Sequence, residues 1–431
     1  MSKKNEKFSH TARPVKEQKH RSSAEESLLA SSNFMGAATF GSFSWVGEHT
    51  TEFPPSRSVG SYLAVELGEA CNLRCRHCIY GQQHQGNSPP NPIVIESLKD
   101  ACRNGLAIEC VSYAGKEPTM YPEELQDLAK TLRQQGRVTE VMTNGTNPEA
   151  LLPLIGLVDF FDISLDGDQS AHDWMRGPGT YQKTFKTIEQ IINASAISRV
   201  GVIATLVHSV LADGRKQGSG IISLANELER AFGETKRVSL TISLYYGNPD
   251  DPMLLNTEDI LTAIMGLRDV GLSTRLVLTA GYAHLWPELR KMLRAELCPL
   301  EYDVPSGIPL MRIGNLSILL FNLTPASLNG FRICNNGKVY LSCNHLAVEN
   351  EASRVQCEVG DLASNSLNEI INSIESGENP VIQTLSQVSE TCFDCSEWEH
   401  CHSGDRLSGL LFKNEPVDPY CHRIMKNRRI Q

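Results

Sequence analysis

Cys71, Cys75 and Cys78 form a single C-x3-C-x2-C run directly after the apolar stretch SYLAVEL, residues 61–67. Three thiolates on one loop can wrap one face of a [4Fe–4S] cube and leave its fourth iron without a protein ligand. A metal centre with an open position binds a reactant instead of serving only as scaffold. The competing readings are a zinc site or a partial ferredoxin motif. Zinc usually pairs one C-x2-C with a second such pair, and the spacing here fits that poorly.

The elements that must hold this loop can be read from the surrounding pattern. From residue 60, apolar runs alternate with amphipathic stretches. The expected strands are Ser61–Leu67, Ile108–Ala114, Thr139–Thr143, Asp159–Leu165, Arg199–Val207 and Arg237–Tyr245. Between them, one helix should begin at Pro122, carry Leu125, Leu128 and Leu132 on one face, and stop at Gly136. Another should start at Asn147–Pro148, where Asn can cap and Pro suits the first turn. Six strand–helix repeats predict an α/β domain with a parallel, barrel-like sheet. Cys102 and Cys110, in an expected helix and an apolar strand, read as buried core thiols.

With the triad in hand, the chain resembles the radical S-adenosylmethionine (SAM) superfamily over about residues 60–245. The resemblance implies a partial (β/α)6 TIM-like barrel in which SAM chelates the open iron through its amino and carboxylate groups. An electron from the cluster then breaks the sulfonium C–S bond, and the resulting 5′-deoxyadenosyl radical abstracts hydrogen from substrate. The cofactors carry this chemistry, and the protein positions it and excludes water. Further matches fall at expected strand ends, where a barrel places its active site. Ala114-Gly115-Lys116-Glu117-Pro118 looks like the family's Gly-Gly-Glu-Pro segment, with Ala for the first Gly and Lys in the second Gly position. The resemblance implies that Gly115 and Glu117 meet the SAM amino group. Asn144 in MTNGT and Ser164 in ISLDG resemble SAM-lining strand ends. Arg176, in His172-Asp173-x2-Arg176-Gly177, would contact the SAM carboxylate. The residue before the third cysteine, often aromatic in the family, is His77, so any adenine contact falls to Tyr80.

After about residue 296 the alternation fails. Eight of the thirteen cysteines lie in this last third, and a segment with so little periodic apolar sequence needs staples such as metal clusters. Cys392-x2-Cys395-x5-Cys401 followed by Cys421 resembles the auxiliary-cluster module called SPASM, with a zinc ribbon as the competing reading. The resemblance implies that these four ligate one auxiliary [4Fe–4S] cluster. It leaves open a second auxiliary cluster, held by Cys334, Cys343 and Asp405, with Cys298 and Cys357 as remaining candidates. Asp405 stands where the module has a fourth cysteine, and the Gly337-to-Cys343 hairpin has one residue more than the module's G-x4-C. The expected division is an extension over residues 1–57, a radical SAM core over 58–295 and a SPASM-like domain over 296–431.

Net charge of −10, from 40 basic and 50 acidic side chains, argues against a broad nucleic-acid-binding surface. No apolar run approaches the ~18–20 residues that span a bilayer. No secretory signal opens the sequence either, so a cytoplasmic location with reduced thiols is expected.

For the SPASM group, resemblance implies oxidative modification, crosslinking foremost, of side chains in a ribosomally made precursor peptide. The implied partners are that peptide, a reductant such as flavodoxin or ferredoxin, and a separate leader-binding protein. Alternatives are a dehydrogenase or epimerase acting on a small molecule such as an amino sugar, and a sulfatase-maturase-like protein oxidase. In maturases of that last type an acid follows the hairpin cysteine; here Asn344 does, and Asn accepts no proton at neutral pH. His345 is then the candidate base, its ordinary pKa of ~6.5 suiting that work. A non-catalytic iron–sulfur redox protein would need no SAM site, so the matches at Glu117, Ser164 and Arg176 count against it.

Overall fold

Each expected strand of the first half forms, and each is followed by the helix that covers it. A computed structural model describes residues 38–39, 42–43, 62–80, 86–104, 110–245, 251–278, 291, 301–302, 309–320, 330–341, 355–387, 390–392, 395, 406–418 and 421. Strands β1 (Ala38–Thr39) and β2 (Ser42–Phe43) pair antiparallel, and they are the described part of the expected extension. The central strands are β3 (Tyr62–Val65), β4 (Cys110–Tyr113), β5 (Val138–Thr143), β6 (Phe160–Ser164), β7 (Arg199–Leu206) and β8 (Val238–Leu244). They are neighbours in that order and all parallel.

Helices α1 (Pro92–Arg103), α2 (Pro122–Gln134), α3 (Pro148–Leu151), α4 (Gln169–Arg176), α5 (Thr180–Ala194) and α6 (Gln217–Phe232) alternate with these strands, and α7 (Thr257–Leu267) follows β8. The physical basis is clearest in α2. Pro122 occupies the first turn, where its missing N–H costs nothing. Glu123 and Glu124 face the positive end of the helix dipole and Arg133 the negative end. Gly136, at φ +73°, then takes the left-handed conformation that stops the helix. Leu125, Leu128 and Leu132 are fully buried against the sheet, so truncating one to Ala costs about 2–5 kcal/mol. Asn147 precedes α3 as expected, but its side chain makes no capping bond and donates instead to Thr119 O at 3.0 Å.

Period-two alternation divides the strands between two faces. Leu63, Val65, Val111, Tyr113, Val141, Phe161 and Ile163 face the helices in one large core. Their neighbours Ala64, Cys110 and Ala114 cluster separately against Val138 and Met142. Cys102 and Cys110 are both buried, as core thiols should be.

The sheet runs across the expected boundary at residue 296. Strand β9 (Thr274–Leu278) lies parallel to β8, and β12 (Leu316–Leu320) lies parallel to β9. Strands β11 (Pro309–Ile313) and β10 (Glu301–Tyr302) continue antiparallel beyond β12. On the opposite flank β13 (Gly330–Ile333) pairs parallel with β3, followed by β14 (Lys338–Tyr340) and β15 (Glu358–Asp361). The C-terminal third thus flanks the first strand of the barrel. Helices α8 (Leu367–Glu375), α9 (Pro380–Leu385) and α10 (Arg406–Lys413) complete the described fold. Among the described residues, no helix is long and apolar enough to cross a membrane.

Candidate active site

The cysteine loop leaves the C-terminal end of β3 and is pinned on several sides. Ala70 N donates to Tyr121 OH at 2.8 Å, and Glu117 N donates to Ala70 O at 3.2 Å. Asn144 Nδ2 donates to Asn72 Oδ1 at 2.8 Å, while Asn72 Nδ2 donates to Thr146 Oγ1 at 2.9 Å. Arg76 docks on the end of α4, with N donating to Met175 O, Nε donating to Trp174 O, and its guanidinium 4.8 Å from the Trp174 ring centroid. A loop that leaves β3 and is tied to the segments after β4 and β5 and to one helix holds its thiols in place before any metal arrives.

Cys71, Cys75 and Cys78 are partly exposed at this mouth, unlike the buried Cys102 and Cys110, and none of the three is in a disulfide. Burial pushes the Cys71 thiol up to about 11, despite a hydrogen bond from Leu73 N, and burial raises Cys75 as well. Thiols held up in this way need a nearby cation to become ligands, and iron supplies that charge. Arg176 Nη1, 3.9 Å from Cys75 Sγ, contributes in the same sense. Among the described residues no three His, Cys, Asp or Glu side chains converge as a single ion requires. Three thiols on one loop are the ligand set that one face of a four-iron cube takes.

Glu117 is a buried, fully partnered carboxylate at the mouth. It is 1% exposed, and it accepts from Thr119 N (3.1 Å), Thr119 Oγ1 (2.6 Å), Thr143 Oγ1 (2.7 Å) and Asn144 N (2.8 Å). Burial raises its pKa, and these four donors oppose the rise. The expected contact to an amino group is therefore joined by a second role: Glu117 fixes the turn at residues 118–120 and the end of β5. The path before it is equally defined. Gly115 has φ +108°, and Lys116, standing where the family has Gly, has φ +45°. A side chain in that left-handed region costs roughly 1–2 kcal/mol, so the Lys preserves a path that Gly would take without strain.

Beneath Cys75 lies a buried charged cluster. Asp166, just past β6, receives Arg176 Nε on Oδ2 at 2.5 Å and Thr205 N on Oδ1 at 2.8 Å. Burial works against its charge, but Arg176, His77 and His172 outweigh that and hold the carboxyl far below its ordinary range. Burial likewise lowers His77 to about 4, although Asp166 pulls the other way. Burial also disfavours the charge on Arg176, but Asp166 dominates, and Arg176 stays cationic. Arg176 was expected to meet a ligand carboxylate; the structure already gives it a protein carboxylate as partner. Asn144 is buried and Ser164 partly buried, at the C-terminal ends of the adjacent strands β5 and β6.

Tyr80 has partners that the sequence did not suggest. Its hydroxyl donates to Glu66 Oε1 at 2.7 Å and also meets Arg332 Nη2. Its ring lies near two cations, Lys116 Nζ at 5.4 Å and Arg332 Cζ at 5.8 Å from the centroid. The ring is thus held by cations as well as by its hydroxyl. Glu66 and Arg332 were not among the expected site residues. The one signal was the charged residue ending the apolar run YLAVE. Also unforeseen was His208, beyond the end of β7, whose Nδ1 is 2.6 Å from Oδ2 of the buried Asp259.

In the C-terminal third, Cys334 is buried at the β13–β14 turn, Cys392 is buried, and Cys395 N donates to Cys392 O at 3.2 Å. Cys357 is buried and Cys421 partly exposed. Cys298, Cys343, Asn344, His345, Cys401 and Asp405 lie outside the described residues.

With this geometry in view, comparison with known proteins is informative. Residues 65–210 match the family model of the radical SAM superfamily. The chain is 31% identical over 153 residues to mycofactocin maturase MftC of Mycolicibacterium smegmatis, covering 33% of this chain and 37% of that one. It is 32% identical over 111 residues to human molybdenum cofactor biosynthesis protein 1, covering 25% of this chain and 18% of that one. The chain thus spans well under half the length of these curated relatives. Among solved structures, Streptococcus suis SuiB bound to S-adenosylmethionine aligns with a TM-score of 0.59 at 15% identity, covering 85% of this chain and 78% of that one. SuiB bound to precursor peptide SuiA aligns with the same TM-score at 13% identity, covering 85% and 76%. At such identities the likeness establishes the fold.

Proposed function

Since residues 65–210 form a radical SAM domain, we propose that this chain reductively cleaves SAM and oxidatively modifies, by crosslinking, side chains of a ribosomally made precursor peptide. The observation that carries the first half is the Cys71–Cys75–Cys78 loop, pinned at the C-terminal mouth of a parallel barrel beside Asn144, Ser164 and Arg176. A [4Fe–4S] cluster held there supplies, when bound, one-electron cleavage of SAM. The chain's own part is positional. Asn72 and Asn144 fix the loop to β5, Glu117 rigidifies the neighbouring turn, and Asp166 keeps Arg176 charged and oriented beside Cys75.

The peptide half draws on the relatives: MftC is a maturase, and SuiB has been seen with a precursor peptide. An oxidative outcome follows from the auxiliary-cluster reading, because a substrate radical must lose an electron to give a closed-shell product. Cys392, Cys395, Cys401 and Cys421 would ligate one auxiliary [4Fe–4S] cluster, and Cys334, Cys343 and Asp405 a second. His345 would accept the substrate proton, and flavodoxin or ferredoxin would supply electrons. On this reading residues 58–295 serve as core and 296–431 as auxiliary domain.

Anaerobic reconstitution followed by dithionite reduction with SAM tests the first half: 5′-deoxyadenosine should form, and replacing Cys71, Cys75 and Cys78 by Ala should abolish it. Its absence from the unaltered protein overturns the assignment. Incubation with short peptides encoded beside the gene tests the second half, since an oxidative linkage removes two hydrogen atoms from the peptide mass.

A further inference from the structure

The first barrel strand and the cysteine loop are fastened to the C-terminal third by one buried side chain. Arg332, on β13, sends Nε and Nη2 to Glu66 Oε1 at 3.3 and 3.2 Å, and Nη2 also reaches Ala114 O at 3.2 Å and Tyr80 OH. The pair is almost fully enclosed, with Arg332 side-chain exposure of 9% and Glu66 of 5%. Each partner belongs to a different part of the candidate active site. Glu66 directly follows β3, Tyr80 lies two residues after Cys78, and Ala114 precedes the Gly115 turn.

Three further contacts give this arrangement a direction. Asn335 N donates to Glu66 Oε2 at 3.2 Å, so both carboxylate oxygens are held by the hairpin that carries Cys334. Asn91 donates two hydrogen bonds of 2.9 Å to Asn335, from N to Oδ1 and from Nδ2 to O, which clamps the segment leading into α1. A Cβ on Gly115 would collide with Arg332 Nη2, Tyr80 OH and Glu66 Cγ, and its φ of +108° already requires glycine. The Gly115 turn therefore closes directly onto the Arg332 guanidinium.

We propose that Arg332 is a positioning residue for SAM binding. By its forked contacts it sets Tyr80, and with it the end of the cysteine loop, against the Gly115–Glu117 turn. The SAM-binding mouth is then complete only when the C-terminal hairpin is docked. A planar fork is needed because one group must serve a carboxylate, a phenol and a carbonyl together; an ammonium has the charge without that geometry. This rests on the reading of the triad as the SAM-binding cluster site. It goes beyond that reading by placing a residue of the C-terminal third in its construction.

The test uses the full chain, reconstituted without air, with SAM as the probe. Electron paramagnetic resonance of the reduced protein is followed as SAM is titrated, for the unaltered chain and for Arg332→Met, Arg332→Lys and Tyr80→Phe. Iron content and thermal unfolding are measured alongside. The expected result is unchanged iron at the triad, with the SAM concentration for half the spectral change raised roughly 5–150-fold in Arg332→Met, the range typical of coupling between distinct sites. Arg332→Lys should recover part of this, and Tyr80→Phe should shift in the same direction. A purely structural staple would lower the unfolding temperature and leave the titration where it was, and that result overturns the proposal. If Arg332→Met does not fold, Tyr80→Phe and Arg332→Lys decide by the same titration. A missing SAM response in the unaltered protein overturns the proposed function itself, whereas an unshifted response confined to the variants overturns this inference alone.

Discussion

Arg176 lies along the Asp166 carboxylate, with Nε 2.5 Å from Oδ2 and Nη2 3.5 Å from Oδ1, while its Nη1 stands 3.9 Å from Cys75 Sγ. Asp166 is wholly buried, so the guanidinium is the main compensation for a charge that water does not reach. Arg176→Met should strand that charge and destabilise the chain by about 3–5 kcal/mol, and Asp166→Asn by a similar amount. The double variant should lose less than the sum, because neither remaining group is left ionised and alone. Anaerobic urea unfolding of the four proteins checks this; strictly additive losses would mean the two residues act independently.

Glu117 makes a different prediction, because its partners are all donors. Gln in its place turns one oxygen into an NH2 that must face Thr119 and Thr143, or Asn144 N. At least one buried pair then becomes donor against donor, which costs about 1–3 kcal/mol. Thr143→Val removes one donor and leaves the carboxylate three others, so it should cost less than Glu117→Gln. Equal stability of Glu117→Gln and the unaltered chain would show that the carboxylate is not ionised in the folded protein.

Asn72 anchors the cysteine loop without belonging to the core. Asn72→Ala removes its bonds to Asn144 and Thr146 while leaving every strand pairing intact. Global stability should fall by only about 1 kcal/mol, within the range for one or two partly buried hydrogen bonds. The loop holding Cys71 should open more readily, so reconstituted iron should be lost faster to an added chelator. An unaltered rate of iron loss would show that the other anchors, Ala70 and Arg76, suffice.

How much of this was legible depends on the range of the interaction. The strand expected at Thr139–Thr143 is Val138–Thr143, and that at Arg199–Val207 is Arg199–Leu206, because local apolar runs and turn residues fix both. The helix from Pro122 to the Gly136 stop is likewise local. Pairing of β13 beside β3 was not legible, since Arg332 and Glu66 are 266 residues apart and parallel pairing leaves no periodic trace. At the site the cysteines stand out by spacing, and Glu117 and Arg176 through the resemblance that their motifs carry. Asp166 and Tyr80 do not reveal their partners, because nothing in SLDG or IYG says which side chains burial will press against them.

His172 links the site to pH. Asp166 N donates to His172 Nδ1 at 3.1 Å, so that nitrogen must carry a lone pair and the proton belongs on Nε2. The ring is fully buried and meets Tyr181 edge-on at 5.9 Å. Burial lowers its pKa from 6.5 to about 4, against the pull of Asp166. The unfolded chain binds a proton at this residue below 6.5, and the folded chain does not until about 4. Stability from the neutral ring is therefore complete above 6.5 and is lost as pH falls toward 4. Each pH unit of that interval carries about 1.4 kcal/mol, which makes the total on the order of 3 kcal/mol. His172→Gln offers an acceptor that does not titrate, so it should weaken the chain near neutrality and flatten the acid slope. Urea unfolding of both proteins at the two ends of the interval measures it. The gap between them should shrink at the acid end; a gap that stays constant would mean that His172 is not held neutral in the folded protein.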